Sequence, residues 1–292
     1  MRAPELDTLL VKEGLPPAYA RAIDNAWAPL AEAIARRQAA AGRGILVGIN
    51  GPQGSGKSTA CLFLEALLHG QHGLRVATLG LDDLYLTRAE RHELARGVHP
   101  LLATRGVPGT HDVALGEAVI TALLSGHGAV SVPRFDKAID DRAPEAEWPA
   151  VEAPLDVLLF EGWCIGAGPE DEAALTGPIN ALEGEEDGDG RWRRGVSAAL
   201  AGPYAALFAR LDYLAMLRPP GFEQVLEWRL VQEAKLRAAR GPDAGMSDAA
   251  IARFVMHYER LTRHMLAALP ARADAVVPID ADHRVGTVAF RG

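Results

Sequence analysis

The run Ile45-Leu-Val-Gly-Ile-Asn50, followed by Gly51-Pro-Gln-Gly-Ser-Gly-Lys-Ser58, decides the fold. The first part is a short, nearly uninterrupted apolar stretch, as expected of a strand buried on both faces of a parallel sheet. The second satisfies G-x-x-x-x-G-K-[ST] at every fixed position, and Ser58 to about His69 then reads as a helix. Strand, glycine-rich turn and helix in that order form a phosphate-binding loop, or P-loop. Glycines let the backbone curl so that successive N–H groups face the phosphates, and the helix N-terminus adds a favourable dipole. On this reading Gly51, Pro52, Gln53, Gly54, Ser55, Gly56, Lys57, Ser58 and Thr59 hold ATP. Lys57 reaches the β- and γ-phosphates and the Ser58 hydroxyl ligates Mg²⁺. The plain alternative, a turn that merely joins a strand to a helix, does not require the complete motif in its complete context.

Outward from this loop, Leu74–Gly80 reads as a second strand and completes a βαβ unit. Further apolar runs at Ala129–Val132, Leu155–Phe160, Leu211–Leu217 and Ala275–Ile279 alternate with helical or loop segments. That pattern predicts an α/β chain: a three-layer P-loop NTPase fold with a mainly parallel sheet and a helical lid. Residues 17–41 have apolar residues at helical spacing and end on Gly42 and Gly44, which predicts a leading helix. Gly166–Trp192, with its acidic run Glu183–Gly190, reads as a solvated loop lacking the EF-hand pattern. The expected organisation is a single P-loop domain over 1–292. An N-terminal helical extension occupies 1–43, the nucleotide- and substrate-binding core 44–292, and a candidate lid about 219–246.

An apolar fraction of 49% and a charged fraction of 23% belong to an ordinary globular chain. A net charge of −8 argues against broad attraction to nucleic acid or anionic membrane, both of which depend on excess Lys and Arg. No run of about 18 apolar residues is present, so a membrane span is not expected. Cys61 and Cys164 lie far apart in apolar surroundings and read as two buried thiols. With no secretory or transit pattern at the N-terminus, the expected location is cytoplasmic. The oligomeric state is left open.

Phosphoryl transfer needs a group that orients or deprotonates the acceptor and positive charge around the migrating phosphoryl. Leu81-Asp-Asp-Leu-Tyr85 ends the second strand, and carboxyl ends of parallel strands line the ligand crevice, which makes Asp82 the candidate base. A helix cap or turn aspartate is the competing reading. Glu161, after the run ending at Phe160, reaches the same crevice and is a candidate Mg²⁺ ligand with Ser58. Between them, Arg105–Asp112 and Pro133–Arg142 carry Arg105, His111, Arg134, Lys137 and Arg142, cations and polar groups suited to a small, hydroxylated, anionic substrate. Surface salt bridging is the bland alternative for each, and His111 by itself reads as structural. Arg229, Lys235 and Arg237 recur near helical spacing in Phe222–Arg237 and are candidate lid residues that converge on the phosphates. A solvated charged face explains them equally well.

Taken in order, Gly48–Thr59, Leu81-Asp-Asp-Leu-Tyr-Leu-Thr87, Arg105-Gly-Val-Pro-Gly-Thr-His-Asp112, Pro133-Arg-Phe-Asp-Lys137 and Phe160-Glu-Gly-Trp-Cys164 resemble the D-glycerate 3-kinase family, within the uridine kinase and phosphoribulokinase group. The resemblance covers most of the chain. It implies ATP-dependent phosphorylation of a hydroxyl, with D-glycerate giving 3-phosphoglycerate as the leading case. It favours Asp82 over Asp83, because the first aspartate of the matching segment contacts the acceptor hydroxyl, and it adds Tyr85 to the substrate-binding residues. Leu84 stands where relatives often have Phe. A different sugar acid, a nucleoside or a vitamin precursor as acceptor, or a regulatory P-loop switch, are the competing functions. Against a GTPase, the chain has no Asn-Lys-x-Asp segment.

Overall fold

A computed structural model of the protein describes residues 4–240 and 246–291. Its main sheet has six strands: β1 (Ile45–Asn50), β2 (Val76–Gly80), β3 (Val157–Gly162), β4 (Tyr213–Arg218), β5 (Ala275–Pro278) and β6 (Ala289–Phe290). Their spatial order is β6-β5-β4-β1-β3-β2, and only the β6 edge is antiparallel. All six residues of β1 are buried, which explains its unbroken apolar composition. Successive side chains leave opposite faces. Leu46, Leu158 and Phe160 therefore join one apolar cluster, while Ile45, Val47, Ile49, Val157 and Leu159 join another. Helices cover both faces, giving three layers.

The helix Lys57–His72 follows β1 directly and packs Phe63, Leu64, Leu67 and Leu68 into the second cluster. The leading helix is not uniform. It runs as a 3₁₀ turn Pro17–Tyr19, an α-helical turn Ala20–Ala22, a π-helical turn Ile23–Trp27 and an α-helix Ala28–Ala41. Pro29 explains the break: it has no N–H for the Asn25 carbonyl, and its ring crowds that carbonyl. The freed Asn25 oxygen accepts the Val288 N–H at 3.1 Å, so the chain's early and late segments are joined where the helix is interrupted.

Two sequence expectations differ from what is observed. The run Ala129–Val132 contributes Gly128–Ser131, which stays outside the main sheet and pairs antiparallel with Ala150–Ala153. Its residues alternate between half-buried and exposed, so it never acquires the two covered faces of a central strand. The acidic stretch expected to be a solvated loop contains the helix Ala181–Glu186, and both Glu183 and Asp187 are fully buried. Arg260 grips Glu183 with two bonds of 2.7 Å and also donates to the carbonyls of Ala174 and Gly177. Asp187 accepts from Arg193 Nη1 and from the backbone N–H groups of Trp192 and Arg193. Net acidity suggested hydration, which holds for the exposed Glu185, Glu186 and Asp189, but arginines from Arg191–Ala201 and Asp248–Ala268 neutralise Glu183 and Asp187 internally. His99 and Asp189 approach Asp187 closely enough to suggest a metal site. However, His99 Nδ1 accepts the Leu101 N–H, its Nε2 stands 3.8 Å from Asp187, too far for a hydrogen bond, and the Asp187 oxygens are already taken by Arg193 and two backbone N–H groups.

The helices Glu223–Arg240 and Asp248–Ala268 pack together through Phe222, Val225, Ile251 and Val255. Residues 241–245 of the candidate lid lie outside the described residues. Among the described residues no helix is long and apolar enough to cross a membrane.

Candidate active site at the P-loop

β1 lies between β3 and β4, where strand order reverses, and the P-loop emerges from its carboxyl end into the resulting crevice. Gly56 has φ +86° and Gly54 φ +79°, left-handed conformations that curl the loop and that other residues rarely adopt. A Cβ on Gly54 would stand 3.0 Å from the Cβ of Trp228 on the candidate lid. Lys57 folds back over the loop, its Nζ donating to the Pro52 carbonyl at 3.2 Å. Ser58 Oγ donates to Glu161 Oε1 at 3.0 Å. These two hard oxygen donors from separate elements fit Mg²⁺, which is held by few protein oxygens and completes its shell with water and phosphate.

Asp82 lies on the neighbouring strand end, since Gly80 of β2 pairs with Glu161 of β3. Its Oδ1 accepts from Tyr85 Oη at 2.8 Å and its Oδ2 from Lys137 Nζ at 2.7 Å. Burial alone would raise this carboxyl. The Lys137 charge and hydrogen bond, together with Tyr85, outweigh it and hold the group below its ordinary value. Asp82 is thus ionised and retains free lone pairs for an incoming hydroxyl. Asp83 is occupied differently: it receives Arg134 Nη1 and the Phe135 N–H, both at 3.2 Å, and so ties the Pro133–Arg142 strap to the sheet.

The remaining expected residues separate into two groups. Tyr85 and His111 are buried and stack at 4.6 Å beside Asp82. Tyr204 Oη accepts the Gly109 N–H and lies 2.6 Å from His111 Nδ1, so it donates its own proton there. Burial brings His111 down to about 4, leaving it neutral near pH 7 and unable to supply positive charge. Lys137, 60% exposed, is the cation that faces Asp82 most openly. Arg105 is paired with Asp140, and Arg142 binds Asp112 and the Tyr85 carbonyl, so both brace the loops around the crevice. Arg229 pairs with Glu233 one turn away. Arg237 binds the Met246 carbonyl and Asp248, fastening the two candidate lid helices. The side chain of Lys235 lies outside the described residues.

Several residues that shape the site were not singled out from sequence. Asn50, fully buried at the end of β1, donates to the carbonyls of Trp163 and Ile165 and so fixes the chain just beyond Glu161. A lone amide ending an apolar run was the available signal, because a buried amide must find partners. Arg91 is 0% exposed and binds Asp140 and the Leu86 carbonyl. His283, at φ +61°, stacks on Trp228 at 4.2 Å and donates from Nε2 to the Gly54 carbonyl at 2.9 Å. Nothing in its local sequence announces that contact.

A nucleotide cradle at the switch point, faced by carboxylates from adjacent strand ends, places the chain among the P-loop kinases, and its relatives agree. Within that class it belongs to the D-glycerate 3-kinase family. An uncharacterized kinase of Schizosaccharomyces pombe is 36% identical over 226 residues, which is 74% of this chain and 79% of the relative. The chloroplastic D-glycerate 3-kinase of Arabidopsis thaliana is 32% identical over 254 residues, covering 82% of this chain but 52% of the plant protein, so the match spans about half of that relative. A solved D-glycerate 3-kinase from Cryptococcus neoformans superposes with a TM-score of 0.73 at 25% identity, covering 90% of this chain and 97% of that one. No family model matches the chain.

Proposed function

We propose that this kinase transfers the γ-phosphate of ATP to a hydroxyl of a small anionic hydroxy acid, with D-glycerate giving 3-phosphoglycerate as the leading reaction. The observation that carries this reading is the Asp82–Lys137 pair, an ionised carboxylate with an exposed ammonium beside the Ser58–Glu161 oxygens. In one neighbourhood it offers an acceptor for the substrate hydroxyl and a cation for the substrate carboxylate. Asp82 orients the attacking hydroxyl and takes its proton as the bond to phosphorus forms, while Lys57 stabilises charge on the transferred group. Mg²⁺, held by Ser58 and by Glu161 directly or through water, would neutralise the phosphate oxygens. The same reading treats the chain as one kinase domain, with the helices around Trp228 and Arg229 acting as its lid.

A coupled ADP-release assay with Mg-ATP tests the acceptor over a panel of hydroxy acids, sugars, nucleosides and vitamin precursors. A D-glycerate signal well above the no-acceptor rate is expected. A signal equal to that rate removes D-glycerate, and hydrolysis unaffected by every acceptor would favour a nucleotide switch.

Lys137→Met tests the electrostatics. Without the ammonium, burial dominates at Asp82 and its carboxyl rises, so the ionised form is lost at higher pH as acid is added. The acid limb of kcat/KM is expected to move upward, read from profiles between about pH 4 and 8. An unmoved limb would show that Lys137 does not set the state of Asp82.

A further inference from the structure

Two cavities meet at the P-loop. The smaller, about 340 Å³, is lined by Gly54, Lys57, Ser58, Trp228 and Val231 and holds the groups that would meet the triphosphate. The larger, about 820 Å³, borders the same loop at Ser55 but contains neither Lys57 nor Ser58. Gly56, Thr59 and His283 line both. The outer wall of the larger cavity comes from residues that precede the P-loop unit, including Leu15, Ala18, Tyr19, Ala22 and Asn25, and its far side from Asp282–Val285. Its volume falls within the roughly 300–1,000 Å³ of ordinary small-molecule sites.

We propose that the N-terminal segment 13–27 and the loop 282–285 enclose the nucleoside of the bound nucleotide, so that base selection resides in the segment ahead of the P-loop fold. This inference rests on the assignment of ATP as phosphoryl donor. With the triphosphate beside Lys57 and Ser58, the nucleoside must leave the loop past Gly56 and Thr59, which opens into the larger cavity. His283 stands between the two spaces. Trp228 lines only the smaller cavity, so the imidazole carries the stack on that side and borders the larger space as well. Its left-handed backbone is fixed by the Asp280 turn, whose carbonyl accepts the His283 N–H at 3.1 Å. A non-glycine residue keeps that conformation only where its surroundings over-determine it. Tyr19 supplies a directional group: its hydroxyl accepts from Trp27 Nε1 at 3.2 Å, while its own proton has no acceptor among the described residues. Burial pushes the phenol up to about 12, so it stays a neutral donor suited to a ring nitrogen of a base. The Asn25–Val288 bond at 3.1 Å clamps the N-terminal wall to the C-terminal strand region.

Irradiation of the full chain with 8-azidoadenosine triphosphate, followed by peptide mapping, tests the location directly. Adducts are expected within 13–27 or 282–285, and adducts confined to other segments would overturn the proposal. Ala18→Trp, at an exposed wall position, provides a second reading by calorimetric titration with ATP and with inorganic tripolyphosphate. ATP affinity should fall about ten-fold or more, with tripolyphosphate within about two-fold of the native value. Equal weakening of both ligands, or of neither, counts against a nucleoside wall. Failure of the unaltered protein to bind either ligand would instead remove the ATP assignment.

Discussion

Asp82→Asn is expected to lower kcat by about a hundred- to ten-thousand-fold while leaving ATP affinity within about two-fold of native. The substitution keeps the size of the side chain and an oxygen for Tyr85, but removes the negative charge that Lys137 balances and that a hydroxyl proton requires. The P-loop is a separate segment, with Lys57 held by the Pro52 carbonyl and Ser58 by Glu161, so the nucleotide cradle stays intact. Steady-state rates with saturating acceptor, paired with ATP titration, separate the two effects. Transfer near the native rate would remove the role given to Asp82.

The second large effect concerns stability far from the chemistry. Arg260→Met is expected to destabilise the protein by about 3–5 kcal/mol, because Glu183 would be left charged, fully buried and without its two guanidinium bonds. The Ala174 and Gly177 carbonyls lose their donor in the same variant. Removing both charges with Glu183→Leu and Arg260→Met should recover most of the loss, since the unpaired ion and not the missing pair dominates the penalty. Urea unfolding of the single and double variants measures this. A single variant within about 1 kcal/mol of native would show that the pair is not an internal tie.

This pair also marks a limit of sequence reading. The stretch Glu183–Gly190 has the composition of a hydrated loop, and nothing local indicates that Arg260, in a helix much later in the chain, neutralises it. Likewise the sequence left Arg105, Arg134 and Arg142 open between substrate binding and salt bridging; in the folded chain each has a carboxylate neighbour, and Lys137, paired with Asp82, is more exposed than any of them.

The sequence by itself determined the P-loop, its strand and helix, the parallel sheet and the positions of Asp82 and Glu161 after strands. Those features follow from local rules: an apolar run that needs two covered faces, glycines that permit left-handed backbone, and carboxylates set at strand ends. Only the tertiary structure decided which charges face one another. It brought Lys137 to Asp82, the Asn50 amide to the chain beyond Glu161, and His283 to Gly54. Such contacts join segments distant along the chain, and their energies depend on distance and burial, which residue order does not specify.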